Sequence, residues 1–216
     1  MIGDGLNGRS LKIFEAAAAQ LLANLYDQRI MSNLIRPSYV EFMIAVILRD
    51  SWHLVSADWA GWDLENGQGA RVEIKQSAAR QTWTDRASLQ GRLTRGVFDI
   101  KVRGGYWKEG GSQYVELNGR RPADLFIFAW HPVDALGQAD HRDAAQWRFF
   151  VVPEDKLPPA QKTIGLTSVQ RLSNACSAET IGEAVSAALC DLPELKVHIE
   201  DKSKPGIASA GEWTSR

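Results

Sequence analysis

Two acidic residues and one lysine flank a glycine-rich turn in the first half of the chain. Asp63 precedes the turn at residues 66–69, which begins with Asn-Gly, and Glu73 and Lys75 follow it. An Asn-Gly pair between two alternating segments is a strong β-hairpin signal. If the hairpin turns around Gln68, Asp63 lies directly opposite Glu73, and strand alternation puts Lys75 on the same face as Glu73. The spacing therefore predicts a small patch of two carboxylates and one ammonium group.

Such a patch has the chemistry of a magnesium site. Two neighbouring carboxylates repel each other, and a divalent cation between them offsets this repulsion. Mg²⁺ keeps several waters and needs only one or two carboxylates, so Asp63 and Glu73, completed by water and the carbonyl of Ile74, are a suitable ligand set. Mn²⁺ is a second candidate ion. An ion held there would bind a phosphate oxygen and activate water, and Lys75 would either orient or deprotonate that water or hold the non-bridging oxygen.

Each of these residues also has a purely structural interpretation. Glu73 and Lys75 would then be an exposed strand pair worth under about 1 kcal/mol, and Asp63 an ordinary carboxylate near a turn. The site is favoured because Val-Glu-Ile-Lys follows Trp-Asp-Leu across a clear hairpin signal. Glu41, on the preceding helix, has two equally supported roles, since Ser38 and Glu41 also have the spacing of a capping box.

Helical and strand patterns surround the patch. Apolar residues at helical spacing predict an N-terminal helix over 8–32, and the helix predicted over 37–49 is apolar nearly all round, so we expect it to be largely buried. We predict one domain over 1–200 with its core at about 37–152. Strands are predicted at 52–56, 59–65, 70–77, 124–130 and 147–152, further helices at 78–93 and 181–189, hairpins or a long insertion at 94–121, and a flexible tail at 201–216.

The motif has a recognisable pattern as a whole. Asp63, nine intervening residues and Glu73-Ile74-Lys75 resemble the active-site signature of the PD-(D/E)XK nuclease superfamily, which includes many restriction endonucleases, junction resolvases and repair nucleases. The resemblance covers about residues 37–152. It implies an α/β fold with a restriction-endonuclease-like αβββαβ core, in which helices flank a mixed central sheet.

The same resemblance implies roles for individual residues. Asp63 and Glu73 match the metal-binding carboxylates, Lys75 matches the catalytic lysine, and Glu41 matches an acidic residue that often joins the site from the first core helix. Gln76 matches a glutamine that some members carry directly after the lysine. The sequence departs from the family pattern at Trp62, which stands where the name-giving proline, itself not a ligand, would be.

Positive charge is concentrated after the motif. Residues 71–121 hold eleven Lys and Arg against five Asp and Glu (+6), whereas residues 122–201 hold six against twelve (−6). On charge alone, chance clustering and an anion-binding face are equally supported. Beside a predicted metal site we favour a nucleic-acid face, because phosphates need cations. The candidate DNA-binding residues are Arg80, Trp83, Arg86, Arg92, Arg95, Lys101 and Arg103, and Lys108, Arg120, Arg121, Tyr106 and Trp107 lie in the same span.

These features predict a Mg²⁺-dependent DNA endonuclease, either of restriction type or acting in repair or another defence system. A homodimer is the simplest way to cut both strands with one site per chain, with the helix at 8–32 and the segment after Pro158 as candidate interfaces. The alternatives are a non-catalytic nucleic-acid-binding module and a protein-interaction domain with an incidental motif. A binding module has no use for paired acids facing a phosphate, which argues against the first alternative.

Composition excludes other classes. The chain of 216 residues is 44% apolar and 24% charged, with a net charge of −1, which is typical of a globular protein. Its longest apolar run, 42–48, is far shorter than the roughly 20 residues of a membrane span, and two cysteines fit a reducing cytoplasm. We therefore expect a cytoplasmic protein with no membrane partner and, since no nucleotide fingerprint occurs, no organic cofactor. His131 and His141 lack zinc-ligand spacing, which favours a strand exit and a polar loop.

Overall fold

The structure is a computed structural model that describes residues 7–55, 61–84, 93–108 and 113–197. The described residues form an α/β fold in which short strands follow two N-terminal helices. The helices are α1 (Gly8–Tyr26), α2 (Arg36–Ile47), α3 (Leu166–Leu172) and α4 (Ile181–Cys190). The strands are β1 (Trp52–Leu54), β2 (Leu64–Asn66), β3 (Arg71–Ala78), β4 (Val97–Asp99), β5 (Gly105–Lys108), β6 (Gln113–Glu116), β7 (Leu125–His131), β8 (Arg148–Pro153) and β9 (Thr163–Gly165).

A mixed sheet of five strands organises the molecule, as predicted. Its order is β1-β2-β3-β7-β8, in which β1, β2 and β3 form an antiparallel meander and β7 joins β3 in parallel. β8 is antiparallel to β7. Two small antiparallel pairs, β4 with β9 and β5 with β6, complete the strand pairing. The central position of β3 explains why both of its faces are covered.

Each face of the sheet has its own hydrophobic cluster. Val72 and Ile74 of β3 join the cluster that includes α2 and α4, whereas β7 contributes Phe126 and Phe128 to the opposite cluster. Glu73 is paired with Phe126, so strand alternation separates the charged residues of β3 from Val72 and Ile74, as the sequence indicates. The charged side chains therefore lie on the aromatic side of the sheet.

The hairpin between β2 and β3 has the predicted register. Leu64 pairs with Val72 and Glu65 with Arg71, the ladder expected for a turn centred on Gln68. One prediction about its face is wrong: Trp62 and Leu64 belong to different clusters, because β2 begins only at Leu64 and Trp62 lies outside the regular ladder. The part of the predicted strand at 59–60 lies outside the described residues.

Both N-terminal helices are more exposed than their sequences suggest. α1 ends at Tyr26 rather than at residue 32, and none of its side chains is buried. Ile13, Leu21 and Leu22 are each more than half exposed. α2 buries Val40 and Ile44 on one side, but Phe42 and Val46 face outwards, so the expectation of a largely buried helix is wrong. The reason is that the sheet covers only one side of α2.

The prediction of a helix at 78–93 is wrong for the residues of that segment that the structure describes. Ala78 still pairs with His131 in the sheet, and turns follow it to Thr84. The Gln81 side chain donates to the Ala78 carbonyl at 2.8 Å, and the Gln81 N–H donates to Thr84 Oγ1 at 2.8 Å. These local bonds compete with helical hydrogen bonding. Residues 85–92 and the predicted tail at 201–216 lie outside the described residues.

In the described part of the chain, no helix combines the length and apolar character needed to cross a membrane.

Candidate active site

Asp63 is held at the start of the hairpin by two backbone contacts. Its N–H donates to the Val72 carbonyl at 2.9 Å, and its Oδ2 accepts the Ile74 N–H at 2.6 Å. Burial raises the pKa of Asp63 well above its ordinary value, and Glu73 and Glu41 raise it further. The Ile74 N–H and Lys75 offset only part of this effect. The protein therefore holds a carboxylate where its charge is unfavourable.

Glu73 and Lys75 meet beside Asp63. Glu73 is buried, and the Lys75 Nζ donates to Glu73 Oε1 in a close ion pair. Both side chains are mostly shielded from water, which distinguishes the pair from the exposed strand pair of the structural interpretation. One ammonium group thus faces a cluster of carboxylates that carries more negative charge than it can balance.

Glu41 joins this cluster from α2. Burial is the largest cause of its raised pKa, Glu73 raises it further, and Lys75 lowers it. The capping-box interpretation is wrong, because α2 begins at Arg36 and its N-cap residue, Ile35, makes no side-chain cap. Glu41 therefore lies beyond the first turn, where the helix has no free N–H group that could donate a hydrogen bond to its carboxylate. Its proximity to the charged residues of β3 gives it an electrostatic role instead.

The donor set fits a hard divalent cation. No three His, Cys, Asp or Glu side chains within the described ranges form a ready-made metal cage. Mg²⁺ does not require one, because it binds through one or two carboxylates and keeps its waters. Burial is the largest cause of the raised pKa of Asp63 and of Glu41, and neighbouring carboxylates raise both further. A cation would favour the ionised form of these carboxylates, and Asp63, Glu73 and the Ile74 carbonyl would be its donors.

Gln76 is directed away from these carboxylates. Its Oε1 accepts the Arg36 Nε at 2.6 Å, and Arg36 also donates from Nη1 to Gln81 at 2.7 Å and from Nη2 to Asn33 at 2.6 Å. Arg36 is only 2% exposed, and burial lowers its pKa to about 10. Arg36 could not be predicted as part of this network, because a single arginine before Pro37 carries no recognisable signal. Gln76 thus links β3 to the start of α2.

Two of the predicted DNA-binding residues share a cleft with Glu73. Lys101 and Arg103, both exposed, border a small cleft whose lining also includes Glu73 and Lys75. The cleft has a volume of about 20 Å³, which is room for one water molecule. Glu73 and Asp99 are the acidic residues of this lining, and cations beside acids are the arrangement that a phosphate group next to a metal ion needs.

The other predicted DNA-binding residues have different surroundings. Arg80 donates from Nε to the Asp134 carbonyl at 2.6 Å, which anchors it to a loop. Trp83 is half-buried and Arg95 is exposed. Arg86 and Arg92 lie outside the described residues. Arg121, from the same basic span, is a structural residue: it is buried, pairs with Glu154 at 3.0 Å and donates to two backbone carbonyls.

The two histidines are part of a packed core. His131 ends β7, as predicted, and its ring centroid lies 4.9 Å from that of His141 and 5.1 Å from that of Trp147. His141 Nδ1 accepts the Met31 N–H at 3.1 Å, and burial lowers its pKa to about 3. Both rings are therefore neutral packing elements at physiological pH.

The chain matches no protein-family model and no curated protein.

Proposed function

We propose that this protein is a metal-dependent endonuclease that hydrolyses DNA phosphodiester bonds. The observation that carries the proposal is the cluster of Asp63, Glu73 and Glu41 around Lys75, in which burial and mutual repulsion raise the pKa of two carboxylates. A purely structural ion pair would not need two further partly buried acids, whose charge is unfavourable at this place. Strongly perturbed carboxylates beside a basic cleft are typical of a functional site.

The roles follow from the surroundings of each residue. Asp63, Glu73 and the Ile74 carbonyl would hold Mg²⁺ or Mn²⁺, with Glu41 as a further ligand. When bound, the ion supplies a Lewis acid for a phosphoryl oxygen and lowers the pKa of water. Lys75, now paired with Glu73, would orient the attacking water or hold the non-bridging oxygen. Because Gln76 is bonded to Arg36, its role would be to position β3 rather than to contact the substrate.

The order of elements supports a restriction-endonuclease-like core. α2, the antiparallel meander of β1 to β3 and, after β4 to β6, the strand β7 parallel to β3 occur in this order. The described residues between β3 and β7 contain no helix, so the second helix of the αβββαβ order is not part of this support. The acidic pair and the lysine lie on the second and third strands of this meander or at their ends, as in the αβββαβ arrangement. Restriction, repair and other defence functions all agree with this core.

Nicking of supercoiled plasmid tests the proposal directly. We expect the protein to relax the plasmid in the presence of Mg²⁺ and not in EDTA. Glu73→Gln keeps the size of the side chain but removes the charge that a cation requires, so nicking should fall by at least about 10²-fold. Gel quantification of initial rates measures the effect.

Glu183→Gln is the matched control, because Glu183 is an exposed residue on α4. It should nick at the parent rate. If parent and Glu73→Gln retain DNA on a filter without cutting it, the protein is a binding module and not an enzyme. Nicking that persists unchanged in Glu73→Gln would point to a contaminating nuclease and would contradict the assigned site.

Lys101 and Arg103 provide a second, independent prediction. If each neutralises one phosphate, the double variant Lys101→Ala/Arg103→Ala should bind duplex DNA more weakly. The slope of log K against log salt should also fall by about 2. Fluorescence anisotropy in EDTA at several salt concentrations measures both quantities. The exposed pair Lys156 and Lys162, outside the cleft lining, is the charge-matched control, and an equal loss from alanine substitutions there would contradict a localised contact.

A homodimer remains part of the proposal. α1 exposes Ile13, Leu21 and Leu22, and its first turn contains Arg9 and no acidic residue. Positive charge is unfavourable at a helix N-terminus, so an antiparallel second copy would bring the carbonyl end of its α1 close to Arg9. Such a pair would supply one site for each DNA strand. The mass of the full chain in solution decides between one copy and two.

A further inference from the structure

The hairpin formed by β5 and β6 carries two aromatic side chains that the core does not use. Trp107 is 41% exposed and Tyr114 is 47% exposed, and the two are directly paired across the hairpin with ring centroids 5.1 Å apart. Large aromatic side chains gain little from contact with water. The rings meet edge to face at an interplanar angle of 60°, so this exposed pair, here called the platform, leaves apolar aromatic surface that a ligand can cover.

The platform is firmly attached to the rest of the fold. Tyr106, next to Trp107, alternates inwards and is buried, with its ring centroid 5.0 Å from that of Trp62. Arg71 is the first residue of β3, and its guanidinium lies 3.9 Å from the centroid of the Trp62 ring. The hairpin is thus connected through packed rings to the strand that carries Glu73 and Lys75.

A pocket of about 260 Å³ opens between the platform and the catalytic cleft. Trp107, Tyr114 and Arg103 line it, and it shares Arg103, Gly61 and Pro122 with the cleft beside Glu73. A ligand in the pocket would therefore be continuous with a group in the cleft. Its size is sufficient for a planar ring system.

Gly105 keeps the floor of this pocket open. A Cβ at this position would lie 2.4 Å from Cζ of Tyr114 and 2.4 Å from the Val115 carbonyl oxygen. Any larger residue would push the Tyr114 ring from its place. Arg103 supplies a positive charge, and none of the described residues that line the pocket is acidic. The pocket combines aromatic faces with one cation, which suits a nucleobase attached to a phosphate.

We propose that this pocket binds an unpaired base of the DNA strand whose phosphate enters the catalytic cleft, so that the preferred substrate has a single-stranded or unstacked nucleotide. The inference rests on the proposed nuclease function and adds the class of substrate. A base within a continuous duplex is stacked on both sides and cannot offer its face to Trp107. An unpaired base stacks on an aromatic side chain regardless of its sequence.

Binding measurements in EDTA separate this site from catalysis. The probes are one fluorescent oligonucleotide in three forms: single-stranded, fully paired, and paired with a single bulged base. We expect Trp107→Ala to weaken binding of the single-stranded and bulged forms by about tenfold, the effect of losing one base–aromatic stack, while binding of the paired form stays the same. Trp107→Phe should restore most of the loss because it keeps an aromatic face.

Phe42→Ala is the matched control, since Phe42 is an aromatic residue that is 58% exposed on α2 and does not line the pocket. It should leave all three affinities unchanged. Equal weakening of all three probes by Trp107→Ala, or no weakening at all, would overturn the base site. If the parent nicks plasmid but lacks this Trp107 dependence, only the base site fails. If the dependence is present and nicking is absent, the base site stands and the nuclease function fails.

Discussion

Replacing Asp63 by asparagine is expected to stabilise the protein and to abolish its proposed activity. Asparagine keeps an oxygen that can accept the Ile74 N–H, but it removes a buried charge that Glu73 and Glu41 oppose. We expect the free energy of unfolding at pH 8 to rise, because a carboxyl group whose pKa is raised by folding destabilises the folded state when it is ionised. Nicking should fall at least about 10²-fold. Urea unfolding and the plasmid assay measure the two effects.

The pH dependence of this difference has a definite sign. Asp63 has a higher pKa in the folded than in the unfolded state. Between these two pKa values the folded state binds more protons than the unfolded state. The stability of the parent therefore falls as the pH rises from the lower pKa to the higher one. The favourable contribution of Asp63 is fully present only below the ordinary pKa of an aspartate. The stability advantage of Asp63→Asn should therefore grow as pH rises from about 4 and then level off. Mg²⁺ should raise the melting temperature of the parent more than that of the variant.

Asp155→Asn serves as the comparison, because Asp155 is exposed and lies in a short turn after β8. Its stability and nicking rate should equal those of the parent. A variant Asp63→Asn that is less stable than the parent would mean that the ionised carboxylate is structurally required. A variant that still nicks at the parent rate would remove Asp63 from the active site.

Replacing Arg36 by alanine is expected to produce the largest loss of stability. The guanidinium makes charge-assisted hydrogen bonds to Gln76, Gln81 and Asn33, and alanine would remove the donor to buried Gln81 and to half-buried Gln76. Loss of a buried network of this kind costs roughly 3 to 5 kcal/mol. Urea unfolding measures this loss. Nicking should decline at temperatures where the variant begins to unfold, because Arg36 holds Gln76 and thereby the part of β3 that carries Lys75.

Two further variants make the Arg36 result interpretable. Arg36→Lys should recover only part of the stability, because an ammonium group cannot reproduce the planar arrangement of three donors. Arg171→Ala removes an exposed arginine from α3 and should change the free energy of unfolding by less than about 0.5 kcal/mol. Similar losses for Arg36→Ala and Arg171→Ala would show that the network contributes little.

Features that depend on neighbouring residues could be predicted well. The Asn-Gly turn and the alternation on either side determine the register Leu64 with Val72, and this register brings Asp63 to β3. The strands β7 and β8 were recognisable because long apolar runs suit a sheet covered on both faces, although only β7 is central and β8 lies at the edge. The agreement ends where alternation is interrupted, as at Trp62.

Features that depend on distant contacts could not be predicted. Residues 78–84 contain helix-forming residues, but pairing of Ala78 with His131 and the bonds of Gln81 prevent a helix. Glu41 had two equivalent local interpretations, and the start of α2 at Arg36 removed one of them. The exposure of α2 was unpredictable for a related reason: the pattern shows that a helix is apolar, but not how many sides the sheet covers.

The sequence by itself determined the acidic hairpin, its lysine and the basic span that follows. Only the tertiary structure decided which cations reach the site. It also decided the partner of Gln76, an arginine 40 residues earlier. The physical reason is that hairpin register follows from interactions within a few residues, whereas the burial and pairing of a charge depend on segments that meet only when the chain is packed.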